Sequence, residues 1–261
     1  MVTIAFVSAK GSPGCTTTAL ALQMVWPELH PDRRVLLAEC DAAGGDIASG
    51  YLAGSLASGR GLLPLAVSRT ADPVAAIWSQ TVSLDDDGRR LLLPGLLDAR
   101  RASSLDAAWS TLQLGLPQLA QQEPPVDVLL DLGRLRTQHD SPHFRTVADH
   151  VVLVTRATLT GVAAACSAAD DLRREASPCS CLVVGPGEPY SASEVAGTLD
   201  LPLLGTLPLD RAAGDALAGT RSLPLRRMST SPLLRAARLV ASALTARPAV
   251  VTPAVGGAAR D

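Results

Sequence analysis

Residues 2–18 read VTIAFVSAKGSPGCTTT and predict a strand, a glycine-rich turn and the start of a helix, in that order. The apolar run Val2–Ser8 is typical of a buried strand, and an apolar helical pattern runs from Thr16 to Leu29. The backbone N–H groups of such a turn attract anions, as does the positive end of the helix that follows. This stretch therefore predicts a phosphate-binding turn in an α/β protein.

Lys10 lies in this turn and is the only lysine of the chain, because the other positive charges among the 23 lysines and arginines are all arginines. A compact ammonium on a flexible stem reaches a phosphate oxygen where a planar guanidinium does not fit. In a chain that uses arginine everywhere else, a lysine at this place indicates a functional residue. The alternative is a surface lysine without a role.

The rest of the chain repeats the alternation of apolar runs and helical stretches. Continuous apolar strands are typical of a parallel sheet that is covered on both faces. The sequence therefore predicts an α/β fold with a doubly wound, mostly parallel sheet flanked by helices. The predicted later strands are Val35–Cys40, Leu91–Pro94, Val126–Leu132, His150–Thr155, Cys181–Val184 and Leu203–Leu207. Helices are predicted over 71–80 and 104–122, after a capping box at Ser191 and Glu194, and after the cap Ser231-Pro232.

Length and composition favour one domain. The chain has 261 residues, a net charge of −2 and five cysteines, an odd number that indicates reduced thiols. No run reaches the roughly 18 to 20 apolar residues of a membrane span, and we expect a cytoplasmic protein. We predict one domain over residues 1–247 and a disordered tail over 248–261, which is rich in Pro, Ala, Gly and Val.

The turn departs from the usual phosphate-loop pattern G-x-x-x-x-G-K-[ST]. Gly14 and Thr16 match this pattern, whereas Cys15 stands where the pattern has its lysine. A small inert filler and a redox-sensing thiol are the two interpretations of Cys15.

Up to about Arg247, the chain resembles the MinD/ParA family of deviant Walker A ATPases, whose loop reads K-G-G-x-G-K-[ST]-T. Lys10 falls on the signature lysine, which in the family reaches the nucleotide of the partner subunit. The resemblance implies ATP and Mg²⁺ as cofactors and a nucleotide-dependent homodimer. The loop residues that it places on the nucleotide are Lys10, Gly11, Ser12, Pro13, Gly14, Cys15, Thr16 and Thr17.

Later motifs follow in the order that the family has them. Glu39-Cys40-Asp41 resembles the D-x-D after the second strand, and Val126–Asp131 resembles the Walker B strand. The resemblance implies that Asp41 orients the attacking water and that Thr16, Asp41 and Asp131 belong to the Mg²⁺ site. Other matching stretches are 148–155, 201–210 and Ser231-Pro232, and the second of them places Pro208 and Asp210 on the nucleotide.

Three departures from the family predict reduced turnover. Losing a charged hydrogen bond at Cys15 costs about 1.5 to 3 kcal/mol, which weakens nucleotide binding roughly ten- to a hundred-fold. Gly185-Pro186 stands where the family often has Asn-Arg near the adenine, and Leu132-Gly133 replaces a proline-containing turn after Asp131. Glu39 is a mild change that keeps the carboxylate.

Several of these residues also have a purely structural interpretation. Thr16 could cap the helix, and Asp41 and Asp131 could cap turns at strand ends. For Cys179 and Cys181 we expect buried strand cysteines and no metal site. A solvated loop is expected for His139, Asp140, His143 and His150, and a hairpin turn for residues 85–88.

The leading functional hypothesis is a MinD/ParA-like, nucleotide-responsive dimer that positions or regulates a cellular assembly through a protein partner, with weak or absent ATP hydrolysis. The degraded loop resembles that of the TadZ/CpaE branch. A second hypothesis is an active ATPase of chromosome or plasmid partitioning, and a third is a dimeric scaffold that binds no nucleotide. The second would use non-specific DNA contacts by Arg221, Arg226, Arg227, Arg235 and Arg238.

Overall fold

The structure is a computed structural model, and it describes residues 1–10, 14–54, 59–135, 147–175, 178–187 and 189–246. The predicted tail, three of the predicted phosphate-loop residues (Gly11, Ser12 and Pro13), and His139, Asp140 and His143 lie outside the described residues.

Strands and helices alternate along the described chain. The strands are β1 (Thr3–Ser8), β2 (Arg34–Glu39), β3 (Val82–Ser83), β4 (Arg90–Leu93), β5 (Val126–Arg134), β6 (His150–Arg156), β7 (Cys179–Val184) and β8 (Leu203–Leu207). The helices are α1 (Cys15–Leu29), α2 (Leu62–Ala66), α3 (Pro73–Gln80), α4 (Asp106–Leu119), α5 (Leu159–Arg174), α6 (Ala192–Leu199), α7 (Arg211–Leu217), α8 (Leu225–Ser229) and α9 (Pro232–Thr245), with a 3₁₀ helix at Ala99–Ser104.

The described strands form one sheet in the order β3-β4-β2-β5-β1-β6-β7-β8. Neighbouring strands run parallel except for β3 and β4, which are antiparallel. The predicted doubly wound parallel sheet is confirmed. From β1, the strand order continues through β5 to β2 on one side and through β6 to β7 on the other. In such folds, ligands usually bind at the carboxyl ends of the strands where the strand order reverses in this way.

Each face of the sheet is covered by a separate apolar core. Ala5 and Val7 of β1 face the core made with α2 to α6, whereas Ile4 and Phe6 face the core made with α1 and α9. This burial on both faces explains why the strands are continuously apolar.

Local signals confirm most of the predicted element boundaries. Ser191 and Glu194 form the predicted capping box of α6, and Ser231 caps α9 before Pro232. The predicted turn at 85–88 joins β3 to β4, with the Asp85 carboxylate accepting hydrogen bonds from the N–H groups of Arg89 and Arg90. Sequence analysis did not identify α5 or the two-residue strand β3. Among the described residues, no helix is long and apolar enough to span a membrane.

Candidate functional site

Gly14 is the N-cap residue of α1. Gly14 has φ +102°, a conformation that residues with a side chain rarely adopt, and its carbonyl accepts the first helical hydrogen bond from the Thr18 N–H at 2.8 Å. The helix begins at Cys15, one residue before the predicted start. No side chain among the described residues caps this helix end, so no such cap occupies its first N–H groups.

Thr16 and Asp131 meet directly. The Thr16 hydroxyl donates a hydrogen bond to Asp131 Oδ2 at 2.6 Å, which joins the start of α1 to β5. Asp131 is 1% exposed, and this burial raises the pKa of its carboxyl to about 7. The negative charges of Glu39 and Asp41 raise the pKa further, whereas the hydrogen bonds from Thr16 and the Gly133 N–H oppose the shift.

Asp41 reaches the same place from the end of β2. Its Oδ1 accepts a hydrogen bond from the Ala43 N–H at 2.7 Å, and its Oδ2 lies against Gly133 so closely that a Cβ added at Gly133 would be 1.8 Å away. Gly133 has φ +61°. The Leu132-Gly133 turn, which sequence analysis treated as a departure, is therefore what makes room for the Asp41 carboxylate beside Asp131.

Glu39 has a role that sequence analysis missed. Its buried carboxylate accepts hydrogen bonds from the Ile47 N–H at 2.9 Å and from the Gly95 N–H at 3.1 Å. Burial raises the pKa of this carboxyl, and the two backbone donors partly offset the rise. Glu39 thus ties the loop that carries Asp41 to the loop after β4. Sequence analysis placed Glu39 on the first position of the D-x-D motif but gave its carboxylate no role.

Cys15 is a buried thiol at the start of α1, 6% exposed. Burial raises the pKa of this thiol well above its ordinary value, and the nearby charge of Asp131 raises it further. A redox-sensing cysteine needs a lowered pKa and an accessible sulfur. Cys15 therefore fits the inert-filler interpretation.

Lys10 is exposed beyond the end of β1, as its predicted role at a subunit boundary would require.

Two distant parts of the sequence line one cavity of about 420 Å³. Gly14 and Thr17 line it from α1, and Pro208 and Asp210 line it from the segment after β8. Four of the predicted nucleotide-binding residues are thus brought together. A second cavity, of about 440 Å³, borders Thr16 and Thr17 on the side of residues 46–50 and 217–220.

Asp210 also holds this wall of the cavity together. Its Oδ1 accepts a hydrogen bond from the Ala213 N–H of α7 at 3.1 Å, and its Oδ2 accepts one from the Leu233 N–H of α9 at 3.4 Å. Both oxygens are therefore used as helix caps, which is a structural role in addition to the predicted one.

The predicted DNA-binding arginines are not all free. Arg221, Arg226, Arg227 and Arg235 are exposed. Arg238 instead forms a two-pronged salt bridge with Glu28 of α1, at 2.7 and 3.0 Å, and fastens α9 to α1.

The cysteines and histidine of the central strands are structural. Both cysteines lie in β7 as predicted, but only Cys181 is buried, whereas Cys179 is half-buried. His150 is buried in β6, where its Nε2 lies 2.7 Å from Ser180 Oγ, and it is not part of a solvated loop. No group of three or more His, Cys, Asp or Glu side chains in the described part of the chain is arranged to hold a metal ion by itself.

Solved structures with this fold belong to MinD and ParA-family ATPases. MinD from Pyrococcus horikoshii, complexed with Mg-ADP, matches with TM-score 0.73 and 17% identity over 93% of this chain and 95% of that one. The MinC:MinD complex of Aquifex aeolicus matches with TM-score 0.73 and 16% identity, over 95% and 97%. A ParA family ATPase from Chlorobium tepidum matches with TM-score 0.70 and 17% identity, over 93% and 97%. No protein-family model and no curated protein matches the chain.

Proposed function

We propose that this chain, which has the fold of the MinD and ParA-family ATPases, is a nucleotide-responsive dimer that positions or regulates a cellular assembly and hydrolyses ATP weakly or not at all. The observation that carries the proposal is the meeting of the Thr16 hydroxyl with the buried Asp131 carboxylate, 2.6 Å apart, at the start of α1. Residues 1–247 as one domain and a cytoplasmic location stay predictions.

The donor set fits Mg²⁺. Mg²⁺ prefers oxygen ligands and is usually bound by one or two carboxylates together with substrate phosphates and water. Thr16, Asp41 and Asp131 offer a hydroxyl and two carboxylates within one cluster. Bound Mg²⁺ would neutralise phosphate charge, and these three side chains would hold and orient it. Phosphate oxygens and water would fill the remaining ligand positions of Mg²⁺, so the site does not need three His, Cys, Asp or Glu ligands.

The backbone supports phosphate binding without a loop lysine. Gly14 and Thr17 line the cavity of about 420 Å³, and no described side chain caps the first turn of α1, so its N–H groups are available to a phosphate. Cys15 adds no charge there, because its thiol is buried with a raised pKa. Phosphoryl transfer depends on charge stabilisation, so binding should survive this loss better than hydrolysis does.

Calorimetry with Mg·ATP and Mg·ADP tests the proposal. We expect wild-type binding in the micromolar to millimolar range, and we expect Cys15→Lys to tighten it roughly ten- to a hundred-fold because it restores a charged hydrogen bond. Cys15→Met is the matched control, since it adds length without charge and should not tighten binding. No heat from wild type at millimolar nucleotide would refute the proposal and leave a nucleotide-free scaffold.

Dimerisation is tested separately by sedimentation. Lys10 is exposed next to the turn, where a partner subunit could receive it. We expect Mg·ATP to shift wild type from monomer to dimer and expect Lys10→Ala to bind nucleotide but stay monomeric. The Aquifex aeolicus neighbour was solved as a complex with MinC, which supports a protein partner as the target of the dimer here.

A partition ATPase is the second candidate, because Arg226, Arg227 and Arg235 are exposed near one another in sequence on α8 and α9. Such a cluster can neutralise DNA phosphates. Turnover assays with and without DNA decide between the two: DNA-stimulated hydrolysis would favour the partition ATPase.

A further inference from the structure

Arg156 is the last residue of β6, the strand next to β1 in the sheet. In the parallel register of the two strands, Val7 lies opposite Leu153. Arg156 comes three residues after Leu153 on β6, and Lys10 comes three residues after Val7, just beyond β1. This places Arg156 level with the turn that follows β1.

The Arg156 side chain lines the same cavity of about 420 Å³ as Gly14 and Thr17. It is exposed, and among the described residues no carboxylate or carbonyl accepts a hydrogen bond from its guanidinium. A guanidinium at the rim of a cavity can make two parallel hydrogen bonds to a phosphate. Its five donors are thus available to a ligand there.

The other charged residues that line the cavity are Asp210, Arg211 and Asp215. The Asp210 carboxylate is occupied by the N–H groups of α7 and α9. Arg211 and Asp215 carry opposite charges and line the cavity from α7, one helical turn apart. Arg156 also lines the cavity, but it belongs to β6, the strand beside β1, and β6 contains no acidic residue.

We infer that Arg156 binds the phosphate groups of the nucleotide and supplies the positive charge that Cys15 does not. This inference rests on the proposed function and names the ligand chemistry of its site: a nucleoside diphosphate or triphosphate held by an arginine from β6 instead of a lysine from the loop.

Calorimetry with Mg·ADP and Mg·ATP on four proteins tests this assignment. Arg156→Gln should bind both nucleotides about ten- to a hundred-fold more weakly than wild type, because a charged hydrogen bond is lost. Arg156→Lys keeps the charge and should lose only about three-fold. Arg69→Gln, at an exposed arginine between α2 and α3, is the matched control and should bind as wild type does.

A second readout separates phosphate contact from contact with the base. Repeating the titrations at increasing salt should show a steeper loss of affinity for wild type than for Arg156→Gln, because exposed charge pairs are screened by salt. Parallel salt dependence would overturn the phosphate assignment, as would equal affinity of wild type and Arg156→Gln. If wild type itself gives no heat with either nucleotide, the proposed function fails, and this inference fails with it. Urea unfolding midpoints confirm that the variants are folded.

Discussion

Replacing Asp131 by Asn should stabilise the protein at alkaline pH while it damages the proposed Mg²⁺ site. Asn has nearly the shape of Asp, and its amide can keep both local hydrogen bonds. Its Oδ1 can accept from the Gly133 N–H, and its Nδ2 can donate to the Thr16 hydroxyl, which then acts as acceptor. The substitution therefore removes a buried negative charge without opening a cavity.

The magnitude follows from the pKa of Asp131. Because the folded pKa is raised from 3.8 to about 7, the stabilising contribution of the protonated form is fully present below pH 4 and is lost as pH rises through 7. The full cost of ionisation is on the order of 4 kcal/mol at 1.36 kcal/mol per pKa unit. About 3 kcal/mol of this cost develops between pH 5 and pH 8.

Urea unfolding at pH 5 and pH 8, without nucleotide, measures the difference. We expect the advantage of Asp131→Asn over wild type to grow by roughly 3 kcal/mol between these two pH values. Asp87→Asn, at an exposed carboxylate of the β3–β4 turn, is the control and should give no such growth. An advantage that does not change with pH, or a variant that is less stable at pH 8, would refute the argument that Asp131 is a strained buried charge.

Two further substitutions probe the anchoring of α1 on the sheet and the geometry of the candidate site. Trp26→Phe removes the indole N–H that donates to the fully buried Asp127 at 2.9 Å, so the free energy of unfolding should fall by about 2 to 4 kcal/mol in urea titrations. Trp78→Phe, which removes no such bond in the described residues, should cost less, and an equal cost would contradict the role of the hydrogen bond. Gly133→Ala places a Cβ in a left-handed conformation and against Asp41, so calorimetry should show weakened Mg²⁺-dependent nucleotide binding, with a stability loss of about 1 to 2 kcal/mol. Unchanged Mg²⁺ dependence would mean that Asp41 is not part of the site.

The fold could be predicted from the sequence because its decisive elements are continuous in the chain. Apolar strands such as β6 are buried on both faces, and this requirement appears directly as an unbroken apolar run at residues 151–154. Helix α5 was missed because its apolar face consists mainly of alanines, including Ala165, Ala168 and Ala169, whose periodicity is weak against its polar surroundings. The strand β3 is too short to form a pattern at all.

The candidate site was predictable only in part. Motif spacing led to Thr16, Asp41 and Asp131 through the resemblance, and the structure brings these three together. Spacing could not show that Glu39 ties two loops, because its partners are the backbone N–H groups of Ile47 and Gly95, which are independent of residue type. In the same way, the double capping by Asp210 and the position of Arg156 depend on how distant elements pack.

Electrostatics link two unusual features of the site: the carboxyl groups gathered around Asp131 and the uncharged residue at position 15. The charges of Glu39 and Asp41 raise the pKa of the Asp131 carboxyl, and Cys15, which begins α1 beside this cluster, is uncharged. In a loop with a lysine at this position, part of that negative charge would be offset by the protein itself. Under the proposed function, Mg²⁺, the N–H groups of α1 and a cation from outside the loop would offset it. The empty and the Mg²⁺-loaded site would then differ strongly in electrostatic energy, which would suit a switch better than a rapid hydrolase.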